Sequence, residues 1–342
     1  MHSYYLSWRW LSAWGLALAS VVGCAPKDTP FAAIRAGIRC ERGQKALEQE
    51  DLDAALKEFQ RAVELNPKLA MAHSNLGKVQ KAKGNLAAAA AAFANAVKLN
   101  PKSFDDAFSL ADVYHKMSKL AAAIQAYLHA CELQPNNFQA RLNLGVCYHQ
   151  AAELDNAIDC YTKAIEIDPD HAAAYTNLGA AYDAQGKYYE AIHAYNKSLE
   201  RDGEQPMVLV NLAGTMMKQE RFAAAQRALE RAIELDPELA MAYERLGYCL
   251  FRMKRYDEAL TRYEWAETLD PNRAETHAGL GVVRMAMFLQ DRSQTEFRQA
   301  AIEHWHRSLE INPDQPKIRN LISKYRVPAD QVSAVLMESP PK

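Results

Sequence analysis

Two histidines flank a tryptophan at His304-Trp305-His306, the first place in this chain where metal chemistry could be sought. In a helix, residues two apart point about 200° from each other, so the two imidazoles diverge when Trp305 packs inward. His115 and His149 stand 34 residues apart. That spacing puts them at equivalent places on neighbouring helical hairpins, about 8–10 Å apart or farther, too far for easy shared ligation. They read as polar residues lining a groove. No phosphate-cradling Gly-rich loop, GxSxG or HExxH occurs, and the carboxylates are scattered with no pair singled out. The sequence therefore predicts no enzyme, no cofactor, no metal and no small-molecule substrate.

Composition narrows the class further. Of 342 residues, 49% are hydrophobic and 24% charged, and Gly and Pro number 14 each, which favours helix in an ordinary globular chain. A formal net charge of −2 implies no pull toward nucleic acid or anionic lipid. Cys40, Cys131, Cys147, Cys160 and Cys249 lie beyond the first segment without a CxxC. An odd number cannot all pair within one chain, and most sit in helical stretches, so they read as small packing residues.

Residues 1–23 stand apart. After Arg9, LSAWGLALASVV forms an apolar run of signal-peptide length, too short to span a bilayer, and ends in Val21-Val22-Gly23-Cys24. This segment resembles the lipobox of bacterial lipoproteins. The resemblance implies cleavage before Cys24, acylation of its sulfur and new amine, and stable anchoring by several acyl chains. The mature formal charge would be −3, since Arg9 is lost. Ala25 stands where many lipoproteins retained at the inner membrane carry Asp, which implies an outer-membrane location facing the periplasm. Residues 24–35 are expected to be a short lipid-anchored linker.

Pro67, Pro101, Pro135 and Pro169 recur every 34 residues, Gly203 takes the next mark, and Pro237 and Pro271 resume the count. Pro313 follows after 42, an insertion of eight. Other columns keep step: Gly43, Gly77, Gly145, Gly179, Gly247 and Gly281 in one, Ala55 to Ala301 in a second, Phe59 to Trp305 in a third. The pattern resembles the Trp-x2-Leu-Gly-x2-Tyr, Ala-x3-Phe, Pro signature of tetratricopeptide repeats over about residues 36–313. It implies an all-α helix-turn-helix solenoid, a right-handed superhelix of about eight repeats. Small residues let two helices approach, the bulky residue fills the space beside the crossing, and Pro ends the second helix. Stacking is obligatory and the ends need caps. Arg39 and Arg42 mark a degenerate first repeat, and Ile318, Leu321, Ile322 and Tyr325 predict a capping helix within 314–342. The eight extra residues predict longer helices or a protruding loop in the last hairpin, and LERDGEQP (199–206) predicts a bend.

Asn143 in LNLGVCY lies about 150° around the helix from its buried neighbours, so the core does not require it. Asn75, Asn177 and Asn211 repeat the position. An Asn amide both donates and accepts, so a column of them could match the backbone of an extended peptide. The column resembles the asparagine ladder in the repeat arm of O-linked N-acetylglucosamine transferase. Equally, it is a common solvated residue of the repeat family. Four hydrogen bonds at about 1 kcal/mol each give only a millimolar interaction, so anchors are required. The helical wheel puts Met207, Val210, Met217, Met241, Tyr248, Phe251, Val282 and Met285 on the inner side or its flanks, where earlier repeats carry polar residues such as Lys78, His115 and His149. Alternatively, half of these apolar residues pack between repeats.

The expected function is a non-enzymatic, lipid-anchored scaffold of the bacterial envelope that binds a peptide segment of a partner protein in its groove. The layout is similar to repeat lipoproteins that escort secretin subunits of type IV pili or organise cell-wall enzymes, which implies a task in envelope or pilus and secretin assembly. The rival reading is a structural adaptor that joins envelope or cell-wall proteins through convex or end surfaces.

Overall fold

Every segment between the periodic prolines is a pair of helices. The structure, a computed structural model, describes residues 30–326, and Cys24 with its signal segment lies outside them. Seventeen helices and no strand occur among the described residues. They divide into two compact units, one up to Ile167 and the other from Asp168.

The first unit has four hairpins: α1 (Pro30–Glu48) with α2 (Leu52–Leu65), α3 (Ala70–Ala82) with α4 (Leu86–Leu99), α5 (Phe104–Lys116) with α6 (Leu120–Leu133), and α7 (Phe138–Gln150) with α8 (Leu154–Ile167). The second also has four: α9 (Ala172–Ala184) with α10 (Tyr188–Arg201), α11 (Pro206–Lys218) with α12 (Phe222–Leu235), α13 (Ala240–Arg252) with α14 (Tyr256–Leu269), and α15 (Ala274–Gln290) with α16 (Thr295–Ile311). The helix α17 (Pro316–Tyr325) closes this unit against α16 through Ile318 and Ile322. In the second unit each first helix also touches the first helix of the next hairpin, so α9, α11, α13 and α15 form its inner layer.

Helix α1 begins at Pro30, several residues before the expected repeat boundary at 36, because proline suits the first turn of a helix. Its Arg39, out of place for the repeat pattern, donates from Nη1 to both carboxylate oxygens of Glu58 at 2.9 and 3.0 Å. The eight inserted residues lengthen α15 and α16 to 17 residues each, against 13 and 14 in the preceding hairpin. No long loop protrudes. At 199–206 the missing proline is replaced by Gln205, whose amide nitrogen donates to the carbonyls of Ser198 and Asp202 at 3.4 and 2.8 Å before Pro206 starts α11. Gln315 does the same for Ser308 and Asn312 before Pro316.

The hairpin crossings are the core. The alanines at 55, 89, 123, 157, 191, 225, 259 and 301 are wholly buried, and the bulky residue four positions on is at most 5% exposed in every hairpin. Gly145 shows why the facing residue is small: a Cβ there would lie 2.6 Å from the Tyr161 ring. All five cysteines among the described residues are buried and free, and burial pushes the Cys147 and Cys249 thiols up to about 11. They serve as packing residues.

In each of the first seven hairpins the turn holds one residue in the left-handed region, with φ between 56° and 76°. Only Gly84 and Gly186 are glycines, and Glu50, Ser118, Ala152, Glu220 and Lys254 bear the strain of a Cβ. The strain persists because the next amide reaches back to the helix, as Glu153 N does to Tyr148 O at 2.9 Å. Two substitutions should therefore move stability in opposite directions. Ala152→Gly, at an exposed turn, should gain about 0.5–1 kcal/mol, whereas Gly145→Leu should lose about 1–3 kcal/mol or more through overpacking. Urea unfolding of both variants beside the parent chain measures this.

Candidate functional site

The asparagine column does not behave as one surface. Asn143 is partly buried, and its Nδ2 donates to the hydroxyl oxygen of Tyr127 at 3.1 Å while its Oδ1 accepts from Gln139 at 2.7 Å. Its amide is thus used inside the fold, tying α7 to the wholly buried Tyr127 of α6. Burial pushes the Tyr127 hydroxyl above its usual range, so it stays protonated, although the Asn143 hydrogen bond opposes this. Asn75 is 6% exposed, and its Nδ2 has no hydrogen-bond partner. The residue sixteen positions earlier is Phe59 rather than a tyrosine, which leaves no hydroxyl to pair with. Asn177 and Asn211, in the second unit, are partly buried. A ladder of four open amides is therefore corrected to two at most, because Asn75 and Asn143 are turned into the packing of the first unit.

Several polar residues on the first helices of the first unit are exposed or paired with one another. Lys78 is exposed, and His115 Nε2 meets Gln150 Oε1 at 2.9 Å, while burial holds His149 below the usual imidazole range. Asp112 lies 2.6 Å from Lys81 and 3.2 Å from Lys116. Burial alone would raise its carboxyl, but the two ammonium groups outweigh burial and hold it low.

The apolar residues of the second unit separate into core and cleft. Val210 is fully buried and Met285 is 3% exposed, so neither is an exposed anchor as the helical wheel suggested. Each is on the flank that meets the next helix. Met241 packs partly buried on the core, and Met207 lies exposed at the start of α11. Met217, Tyr248, Phe251 and Val282 come together from α11, α13 and α15 along one cleft of about 650 Å³. Met217 is itself mostly buried and shows the cleft one edge.

Charged residues the sequence reading did not single out share this cleft. Arg245 lines it, and its buried Nε has no hydrogen-bond partner. Glu244, by contrast, is engaged, accepting from Arg273 at 2.9 Å and from Thr276 at 3.1 Å. Arg252 donates to the Tyr248 hydroxyl at 2.9 Å and to Glu220 at 3.2 Å. Gly214 keeps room for the Arg245 guanidinium, since a Cβ there would lie 2.8 Å from it.

A second polar cluster joins α14, α15 and α16. His304 turns away from His306, as the two-residue spacing requires, and meets His277 instead, Nδ1 to Nδ1 at 3.2 Å. His277 Nε2 donates to the Pro271 carbonyl at 2.9 Å, which leaves its Nδ1 as an acceptor. His73 bonds the Pro67 carbonyl at the same six-residue offset, a sequence signal for the fixed ring. Arg284 donates to His304 Nε2 and to Glu264 at 3.0 Å. Burial first, then the charge of Arg284 and the nearby His277, hold the His304 imidazole down to about 4.

Residues 39–280 match the family described as the cilia and flagella-associated protein 70 C-terminal domain, a tetratricopeptide domain. The chain belongs to this tetratricopeptide family. No curated protein matches it. Among solved structures, the chain is similar to a tetratricopeptide repeat protein from Parabacteroides merdae at 16% identity and TM-score 0.54, over 86% of this chain and 99% of that one. It is also similar to the Cut9–Hcn1 hetero-tetramer of the APC/C at 18% identity and TM-score 0.57, over 93% and 59%. PilF of Pseudomonas aeruginosa matches at 20% identity and TM-score 0.50, over 60% and 94%. At these identities the likeness is one of fold.

Two measurements probe this tetratricopeptide chain. Asn143→Ala should cost about 1–3 kcal/mol by stranding the Tyr127 hydroxyl, and Tyr127→Phe in the same chain should recover part of that loss. A denaturation double-mutant cycle reads the coupling. The second concerns His304. Unfolded, it takes up a proton near pH 6.5, whereas folded it stays neutral until about pH 4. Between these values the unfolded state binds more protons, so the parent should lose stability as pH falls, more steeply than His304→Gln. Glu267, Arg284 and His277 are the charged and titratable groups facing the ring.

Proposed function

We propose that the chain is a non-enzymatic scaffold that holds a segment of a partner protein in the cleft of α11, α13 and α15. One observation carries this reading: Met217, Phe251 and Val282 make an apolar floor beside Arg245, whose buried Nε lacks a partner. A buried guanidinium nitrogen without an acceptor is costly, and a carboxylate is its natural complement. The segment that fits carries an apolar side chain for the floor and an acidic group for Arg245. Met and aromatic side chains adapt to either an extended or a helical backbone.

We also propose that the scaffold works at the bacterial envelope, anchored through Cys24 and facing the periplasm from the outer membrane. The support is the lipobox-like VVGC together with the face of α1, where Phe31, Ile34 and Ile38 are 73%, 63% and 43% exposed at helical spacing. Only residues 25–29 separate Cys24 from α1, at most about 20 Å of extended chain, which would bring this apolar stripe to the bilayer surface. A task in pilus or secretin assembly fits such a placement.

The rival reading, an adaptor that works through its outer surface, has its own observation: Tyr189 and Trp265 on the second helices are 76% and 52% exposed. Photo-crosslinking in cells separates the two. A crosslinker at Val282 should capture a partner, and Arg245→Met and Phe251→Ser should each weaken binding of that purified partner by about 2 kcal/mol. Capture only from position 265, unchanged by the cleft variants, would favour the adaptor. Cys24→Ser should abolish incorporation of labelled fatty acid and release the protein from the membrane fraction.

A further inference from the structure

Glu267, His277 and His304 are brought together from three successive helices, far apart in sequence, and neither the fold nor the cleft requires their meeting. Their facing atoms are His277 Nδ1, His304 Nδ1 and one Glu267 carboxylate oxygen. These atoms are separated by 3.2, 3.4 and 3.7 Å. Ligands about 2.0–2.2 Å from a tetrahedral zinc ion lie about 3.3–3.6 Å apart, so the triangle has nearly the edge lengths of one tetrahedral face. An ion just above the plane of this triangle would lie about 2.1 Å from each corner, the length of a zinc–nitrogen or zinc–oxygen bond. We propose that these three residues bind a divalent transition-metal ion of the zinc type, with water at the fourth position.

The surroundings support the assignment. Pro271 O accepts from His277 Nε2 at 2.9 Å, which fixes the tautomer whose Nδ1 lone pair faces the other two groups. His277 is buried, while His304 and Glu267 are partly exposed, so the ion has a path from solvent. Two imidazoles and one carboxylate suit zinc, nickel, cobalt or copper rather than magnesium or calcium, which prefer all-oxygen sites. The site would staple the last two repeats together: α14 belongs to one hairpin, and α15 and α16 form the next. That role is independent of the partner cleft.

Arg284 is the element that works against the ion. A guanidinium only donates, so its contact with His304 Nε2 puts the ring proton on Nδ1, the atom that must face the metal. Binding therefore moves that proton from Nδ1 to Nε2 of the same ring, with no net proton released. The guanidinium must then turn away, and Glu264, already 3.0 Å from its second nitrogen, is placed to hold it. Metal-free, the three side chains form a hydrogen-bond chain from Arg284 through both rings to Pro271. Metal-bound, Arg284 is displaced. The sign of its effect is specific to this site, since a residue that merely supported the fold would not oppose metal when present.

Titration of the metal-stripped chain with Zn²⁺ by calorimetry, and with Co²⁺ by visible absorption, tests the site. One equivalent should bind, with the intense visible bands of tetrahedral cobalt and no thiolate charge-transfer band. His277→Ala and His304→Ala should each weaken binding about a hundredfold or more, and Glu267→Gln about tenfold. Arg284→Met should bind at least several-fold more tightly than the parent. Failure of the parent to bind stoichiometrically overturns the proposal, whatever the Arg284 variant does. Binding that survives both histidine substitutions also overturns it. Should a histidine variant lose its helical circular-dichroism signal, Glu267→Gln decides, and unchanged affinity there overturns the site.

Discussion

The close crossing of two helices within each hairpin is the constraint on which everything else rests. A buried alanine on the second helix and a small residue on the first bring the backbones together, and the bulky side chain four residues beyond the alanine fills the flank. The tolerance is narrow: at Gly145 even a methyl group would press into the Tyr161 ring, and at Gly281 it would meet Trp305 at 2.4 Å. Close packing of this kind makes a hairpin rigid but leaves each one with an uncovered apolar side. Within each unit the next hairpin covers it, and at the C-terminal end α17 does so with Ile318 and Ile322.

Rigid hairpins impose a turn that most residues dislike. In the first seven hairpins the left-handed residue of the turn is retained even where it is Ala, Ser, Glu or Lys, because helix–helix approach outweighs a local cost of about 1–2 kcal/mol. The same rigidity explains the polar groups on the inner helices. Tyr127 fills its crossing with a ring, but its hydroxyl must still be satisfied, and Asn143 on the neighbouring helix does so. Where the ring is Phe59, the corresponding Asn75 has nothing to bond. An asparagine that looks like a docking residue is thus in one place an internal partner and in another a buried orphan.

Both candidate sites lie at departures from the repeat. The second unit places Met217, Tyr248, Phe251 and Val282 where the first carries polar residues, and sets Arg245 among them with its buried Nε unpaired. The histidine cluster is another departure, since His277 stands where Tyr175 and Tyr243 stand in other repeats. Each departure would disturb an isolated hairpin little. Together they bring side chains from different repeats to fixed separations.

Sequence by itself determined the periodic part of this protein. A 34-residue recurrence of small, bulky and proline positions is a packing rule written along the chain, so the hairpins and the capping helix were legible. The divergence of His304 from His306 was legible too, because the helical angle between neighbours two apart is local geometry. Which way an inner-side residue finally faces was decided only by tertiary structure. Val210 and Met285 share a helical stripe with Met217 and Val282, yet the next helix covers the first two, and a wheel drawn on one helix holds no information about its neighbour. The meeting of Glu267, His277 and His304 was likewise invisible, with successive members ten and 27 positions apart and three helices involved. Spacing along a chain encodes contacts within a helix or a hairpin. Contacts between hairpins depend on the rotation and distance at which rigid units stack, and those are set by the summed packing of many side chains.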